Sequence, residues 1–426
     1  MKTDILIAGS GCSGLYCALH LPKDKKITII TKASLEESDS YLAQGGICVL
    51  NGEEDYDSFF EDTMKAGHYE NNTESVDIMI RSSRKVIDEL ISYGVDFCRN
   101  ADGSLAYTRE GAHSKKRILY HEDVTGQEIT SKLLQRVKER ENITLLEYTT
   151  LLDVIMKDNC CCGAVLRMAD GSIVSVSAAY TILATGGVGG LYRHSTNFRH
   201  LTGDAVAIAL KHGVKLQNVD YVQIHPTTFY NKDSSERSFL ISESVRGEGA
   251  KLYNKHMERF VNELLPRDEV TKAIWKQMEE DGTDYVWEDL RMIDPKVLQL
   301  HFPNIVEFCA EKGYDVTRQC IPVVPAQHYF MGGVQVDSFS KSSAERLYVI
   351  GEAACNGVHG KNRLASNSLL ESLVFAGRAA SQISETPAVA LPLPAMDLSQ
   401  YADGDKLEET YKTLVRDEIK GRTKYV

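Results

Sequence analysis

The chain lacks any run of about 18 apolar residues, so no membrane-spanning helix is expected. It also lacks a leader pattern. MKTDILIAGSG goes straight into strand-like residues, which predicts a cytoplasmic protein. Positive charge is in deficit: 48 Lys and Arg against 60 Asp and Glu leave a net charge of −12. That balance argues against nucleic acid or an anionic membrane as partner. An anionic substrate would have to be met by a local gathering of Arg, Lys and His. Among the 10 Cys there is no CxxC pair and no Cys/His group at metal-ligand spacing, so no metal centre is expected. Cys160, Cys161 and Cys162 are adjacent and read as a surface turn in a reducing compartment.

What is present is an ordinary globular composition, 43% apolar and 25% charged over 426 residues, long enough for two or three domains. The stretch Tyr348 to Ser372 organises the rest. It opens as a buried strand, reaches Gly351-Glu352, and crosses a loop carrying His359, Lys361 and Arg363. It ends at Asn367-Ser368, where Leu369, Leu370, Leu373 and Val374 begin a helical pattern. Strand, acid, loop and helix N-terminus together present a carboxylate and backbone N–H groups to a cofactor.

At the other end, Ile5-Leu6-Ile7 runs into Gly9-x-Gly11-x-x-Gly14 and then a helical pattern. Gly9 makes the tight turn, Gly11 admits a pyrophosphate, and Gly14 lets helix pack on strand. This favours FAD or NAD. The second strand, residues 27–31, runs into Thr31-Lys32 where an acid for the ribose is usual, so Lys32 takes that position. Gln44-Gly45-Gly46 gives a backbone that can approach a planar ligand.

Residues 107–126 crowd charged and His side chains around Glu110; a solvated loop is the plain reading. The helix after it starts near Thr125, which is expected to cap it. Residues 143–183 alternate as a β-meander ending in Ala184-Thr185-Gly186-Gly187. Asp204 opens a helix, as an N-cap or facing a cofactor group. Gln223 and His225 sit in an apolar, aromatic stretch; Ser242, Glu243 and Arg246 have helical spacing. Arg267-Asp268 reads as a helix-start pair, and residues 275–320 as helices of a second domain. His328-Tyr329 and Gly332-Gly333 return to strand character, and a Pro-rich linker follows residue 386.

GSGCSG, AQGGI, ATGG, HPT, RGEGA, PRD, HYxMGGV and GEAxxxGVHGxNRLASNSLLE occur in that order. The set resembles the fumarate reductase and succinate dehydrogenase flavoprotein superfamily. Within it, TREGAHSKKRIL, carrying Glu110, resembles the L-aspartate oxidase family. The resemblance implies an α/β protein: a Rossmann-like FAD-binding domain (1–218 and 331–386) interrupted by an α+β capping domain (219–330). Residues 387–426 would be a linker and a short helical remnant of the family's C-terminal bundle.

By the same resemblance, FAD contacts fall on Ser10, Gly11, Cys12, Ser13 and Gly14, on Lys32, and on Asp39, Ser40, Tyr41, Leu42, Ala43, Gln44, Gly45 and Gly46. Further contacts fall on Asp204, Glu352, Asn367, Ser368 and Leu369. Substrate contacts fall on Gln223, His225, Ser242, Glu243, His328 and Arg363. Arg267 takes the proton-transfer position, with Glu243 or Asp268 as relay, and Glu110 orients the amino group. Asp39 stands where covalent-flavin subunits carry His, so FAD is expected to be non-covalent. The reaction implied is oxidation of L-aspartate to iminoaspartate, first step to quinolinate and NAD. Electrons would pass to fumarate or dioxygen, and iminoaspartate to quinolinate synthase. The rival implied is a soluble fumarate reductase or succinate dehydrogenase-type subunit, which HYxMGG resembles more.

Overall fold

A computed structural model describes residues 1–232 and 236–421. Its centre is a five-stranded sheet in the spatial order Leu347–Val349, Tyr180–Leu183, Ile5–Ala8, Ile27–Ile30, Ile143–Leu146. Every pairing in it is parallel. All but the edge strand Ile143–Leu146 are buried throughout, because both faces are covered. Ile5, Ile7, Ile27 and Ile29 face one core, with helices Cys12–His20, Thr73–Ser92, Thr125–Lys138 and Asn367–Glu385. Leu6, Ala8, Ile30 and Leu183 face the other, with helix Asp204–His212 and an antiparallel sheet, Thr150–Lys157, Cys160–Arg167 and Ile173–Ser177.

That second sheet corrects the reading of the three cysteines. Cys160 opens a strand, and Cys161 and Cys162 are fully buried within it. Their side chains behave as small apolar groups in a core. The turn falls just before, at Asp158 and Asn159, both with positive φ.

Residues 222–330 build a separate core. Val222–Phe229, Ile321–Phe330, Val286–Asp289 and Lys251–Tyr253 form an antiparallel sheet in that order. Phe229, Ile241, Leu252, Val270, Ile274, Ile305 and Ile321 pack beneath helices Arg267–Asp281 and Pro303–Glu311. The strand Val286–Asp289 lies inside the stretch expected to be helical. Its alternation is short and flanked by charge, so no period showed. The chain then returns to the parallel sheet, and helix Gly404–Lys420 packs Tyr411, Val415 and Ile419 into the core under Asp204–His212. No described helix is long and apolar enough to cross a membrane.

Candidate active site

The parallel strands end at one large cavity of about 1680 Å³, measured to its open mouth. Its lining joins the glycine turn at Gly9 and Gly11 to Glu110 and Arg363, a long span that suits an extended dinucleotide. It runs along the carboxyl ends of Ile5–Ala8 and Ile27–Ile30, where α/β sheets bind nucleotides. Gly9 has φ +125°, and a Cβ there would sit 2.0 Å from the carbonyl oxygen of Ala184. Only glycine permits that turn, which aims the start of helix Cys12–His20 at the cavity.

Most of the residues singled out in the sequence line this cavity. Ser10, Gly11, Ser13, Lys32, Asp39, Ser40, Leu42, Ala43, Gln44, Gly45, Gly46, Asp204, Glu352, Ser368 and Leu369 do so. So do Glu110, His225, Ser242, Glu243, Arg267, His328 and Arg363. Cys12, Gly14, Tyr41, Gln223 and Asn367 lie outside the lining. Cys12 donates its N–H to Ser40 Oγ at 3.2 Å, and Gly14 packs against the Gly9 carbonyl. Asn367 is fully buried and donates to Thr63 Oγ1. Gln223 backs the lining: it donates to Asn362 and the Arg363 carbonyl, and accepts from Arg267 Nη1 at 3.0 Å.

Lys32 is paired. Its Nζ lies 2.7 Å from Asp204 Oδ2 and also donates to the His200 carbonyl. Asp204 is the first helical residue, and Gly203 holds the N-cap position. Thr125 is likewise inside its helix; its hydroxyl accepts the His121 N–H and donates to the Gly45 carbonyl.

The charged segment is no solvated loop. Glu110, His113, Arg117 and Asp123 are all buried. Arg117 lies on two carboxylates, 3.0 Å from Asp55 and 2.6 Å from Asp62. The burial follows from partners distant in sequence, so charge density alone misleads there. Glu110 lies opposite Gly45, where a Cβ would come within 2.7 Å of its Oε1.

Around Glu110 the two bodies meet. Arg267, buried at the start of its helix, donates from Nε to Glu243 Oε2 at 2.5 Å. Asp268 turns away, 3.5 Å from both His68 and Lys272. Of the two acids beside Arg267, Glu243 is the one in contact. Burial works against Glu243, but Arg267 and Arg246 overcome it and hold its pKa below the usual range. Arg363 lies over the Tyr329 ring at 4.6 Å and donates from Nη1 to Ser368 Oγ at 2.8 Å. Burial, reinforced by the charge of Arg267, draws its pKa down to about 10.

His225 and His328 pack edge to face, 5.2 Å between centroids. Burial first, then nearby arginines, hold both pKa values well below the usual range, so both imidazoles are neutral. His225 Nδ1 contacts the Thr227 carbonyl at 3.0 Å, and its Nε2 has no protein partner. His328 Nδ1 meets Thr196 Oγ1 at 2.8 Å.

Thr196, Asn197, Arg237, Tyr329 and Ser366 also line the cavity and were given no site role in the sequence. Tyr329 and Ser366 carried a signal, since they sit inside HYxMGGV and RLASNS. Thr196, Asn197 and Arg237 carried none.

The residues present fit FAD. Ser38 Oγ, Asp39 Oδ2, Gln44 Oε1, Asn197 Oδ1, His225 Nε2 and Arg363 Nε are buried without protein partners, and all six residues line the cavity. Buried polar atoms are rarely left so unless a ligand or water meets them. These features define a flavin-dependent oxidoreductase. The FAD binding domain family matches residues 4–369, and FAD is the cofactor.

Two clostridial proteins narrow the class. The L-aspartate oxidase of Clostridium perfringens is 49% identical over 381 residues, 89% of this chain and 86% of that protein. That of Clostridium acetobutylicum is 48% identical, covering 91% and 89%. The chain belongs to the L-aspartate oxidase family. Among solved structures, the FrdA chain of E. coli quinol fumarate reductase superposes with TM-score 0.86 at 30% identity, covering 97% of this chain and 75% of that one.

Proposed function

We infer that this protein oxidises L-aspartate to iminoaspartate with FAD, feeding quinolinate and NAD formation. The observation that carries this reading is Glu110, a buried carboxylate beside Arg267 and Arg363 inside a cavity built for a flavin. Two cations suit two carboxylates, and an added anion suits an ammonium group. Succinate would leave that anion facing a methylene, which costs on the order of 2–3 kcal/mol. This favours the amino acid over the rival reading, a fumarate reductase or succinate dehydrogenase-type subunit.

Bound FAD supplies the two-electron acceptor, and fumarate or dioxygen takes the electrons onward. Arg363, His328 and His225 hold the substrate carboxylates as neutral or cationic donors. These contacts would orient substrate Cα toward the bound cofactor for hydride transfer. Arg267 moves the proton, its guanidinium held by Glu243 and Gln223. Glu110 orients the amino group. Asp39 accepts the Phe198 N–H, and as a carboxylate it offers no ring nitrogen for a flavin bond, so FAD is held non-covalently. Asp204, Glu352, Lys32 and the Gly9–Gly14 turn hold the dinucleotide. Iminoaspartate hydrolyses in water, which favours hand-over to quinolinate synthase in the cytoplasm.

The test is anaerobic. L-Aspartate mixed with the purified holoprotein should bleach the flavin absorbance, and succinate should bleach it far more slowly. Faster bleaching by succinate would transfer the protein to the rival class.

A further inference from the structure

Ser366 immediately precedes helix Asn367–Glu385 with φ +61°, in the left-handed region. Glycine enters that region freely and serine does not. Nothing in the backbone course there asks for a side chain. Yet a side chain is present and buried, and it is fully engaged. Ser366 Oγ donates to Glu110 Oε2 at 2.5 Å and accepts the Gly46 N–H at 3.2 Å. The Ser366 carbonyl accepts the Cys48 N–H at 3.0 Å. The other carboxylate oxygen, Glu110 Oε1, accepts from Ser244 Oγ at 3.3 Å. Ser244 belongs to the second body, in the short helix Glu243–Gly247. Two hydroxyls from opposite walls thus grip one buried carboxylate.

Backbone strain persists where the side chain it carries is needed. We propose that Ser366, with Ser244 opposite, is a positioning residue that fixes the Glu110 carboxylate for the amino group and thereby sets the preference for an amino acid over an unsubstituted dicarboxylate. The proposal rests on the reading of Glu110 given above and names what makes that reading work.

Charge supports the geometry. Burial raises the pKa of Glu110; the Ser366 bond, Arg267 and the Ser244 bond oppose that, while Glu243 adds to it. Arg363 and the Cys48 thiol also interact with it. Loss of either hydroxyl leaves the charged form less supported. Glu110 then protonates at higher pH, and a protonated Glu110 cannot pair with an ammonium.

Four variants test this in FAD-loaded protein: Ser366→Ala, Ser366→Gly, Ser244→Ala and Glu110→Gln. The readouts are kcat/KM for L-aspartate oxidation relative to fumarate reduction, and the acid limb of the aspartate pH profile. Both Ser366 variants should lower the aspartate-to-fumarate ratio by about ten-fold, the worth of one charge-assisted bond, and Ser244→Ala by less. The acid limb should move to higher pH in all three. Ser366→Gly should melt above Ser366→Ala, because it relieves the backbone while sharing the same loss of selectivity. That pairing separates a positioning role from a structural one. An unchanged ratio and an unmoved acid limb in both Ser366 variants overturn the proposal alone, provided Glu110→Gln collapses the ratio. Should Glu110→Gln leave the ratio intact, the reading of Glu110 fails and the proposal with it.

Discussion

His225 and His328 owe their state to burial rather than to their ordinary affinity for protons. Both are held neutral throughout the usual working range by burial and by the arginines around them. The pH dependence of aspartate oxidation should therefore show no limb from these imidazoles near ~6.5, the value of a free histidine. The acid limb belongs to Glu110, whose pKa is raised by burial. The sign follows from the substrate. Ionised Glu110 pairs with the ammonium, so kcat/KM for aspartate falls as pH drops through the raised value. Glu110→Gln should remove that limb while leaving a lowered, flat profile. A limb that survives the substitution would reassign it to another group. Glu110, Arg267 and Arg363 were legible in the sequence because their neighbours form recognisable motifs. Ser366 was half-legible, inside RLASNS but without a stated role. Arg237 and Thr196 were illegible, since their meaning lies in contacts the linear order does not show.

One buried acid joins the C-terminal segment to the rest by charge as well as by packing. Asp153, in strand Thr150–Lys157, lies 2.5 Å from Lys211 Nζ and 2.7 Å from His212 Nε2, and accepts from Tyr401 at 2.7 Å. Burial opposes its charge, but these three bonds hold its pKa below the usual carboxylate range. Helix Gly404–Lys420 then lays Leu407, Glu408 and Tyr411 beside Lys32, Leu151 and Asp204, which also line the cofactor cavity. A short helical segment was expected there from the family resemblance; its docking was not, because Asp153 read only as one residue of an alternating strand. Asp153→Asn keeps the shape and removes the charge that Lys211 and His212 share. Breaking a buried pair this way costs about 3 kcal/mol, so the melting temperature should fall at pH 7. A depressed carboxylate pKa stabilises above the unfolded value of about 3.9 and ceases to as pH falls through the folded value. The gap between wild type and variant should thus close in acid. Amide exchange in residues 398–420 should quicken in the variant before the parallel sheet does. Equal exchange in that segment would mean that Tyr411, Val415 and Ile419 suffice to hold it.

The whole molecule works only if the body carrying Arg267, His225 and His328 stays down on the one carrying the cavity floor. Bonds at the seam such as Ser244 to Glu110 and Gln223 to the Arg363 carbonyl oppose its lifting, and two further contacts act at its edges. Asp268 lies 3.5 Å from His68, next in the chain to Arg267. At the other edge, the Asn304 N–H donates to the buried Asp123 at 3.2 Å, and the Asn304 side chain donates to its second oxygen. Magnitude separates them. His68 and Asp268 are 46% and 26% exposed, so that pair contributes ~0–1 kcal/mol. The Asp123 contact is buried, and burial has already raised the Asp123 pKa, so losing the Asn304 donor leaves a costly acceptor, ~1.5–3 kcal/mol. Asn304→Ala should lower kcat/KM for aspartate by about ten-fold, and Asp268→Asn by less than about three-fold. Flavin content should be kept in both, since neither residue lines the cavity. The sharper reading is the flavin's accessibility. Iodide should quench its fluorescence more in Asn304→Ala than in wild type, and L-aspartate should restore protection by drawing the two bodies together. Loss of activity without added quenching would place the defect inside the second body's own packing, around Phe302 and Ile305, and would leave closure to the strands that join the two.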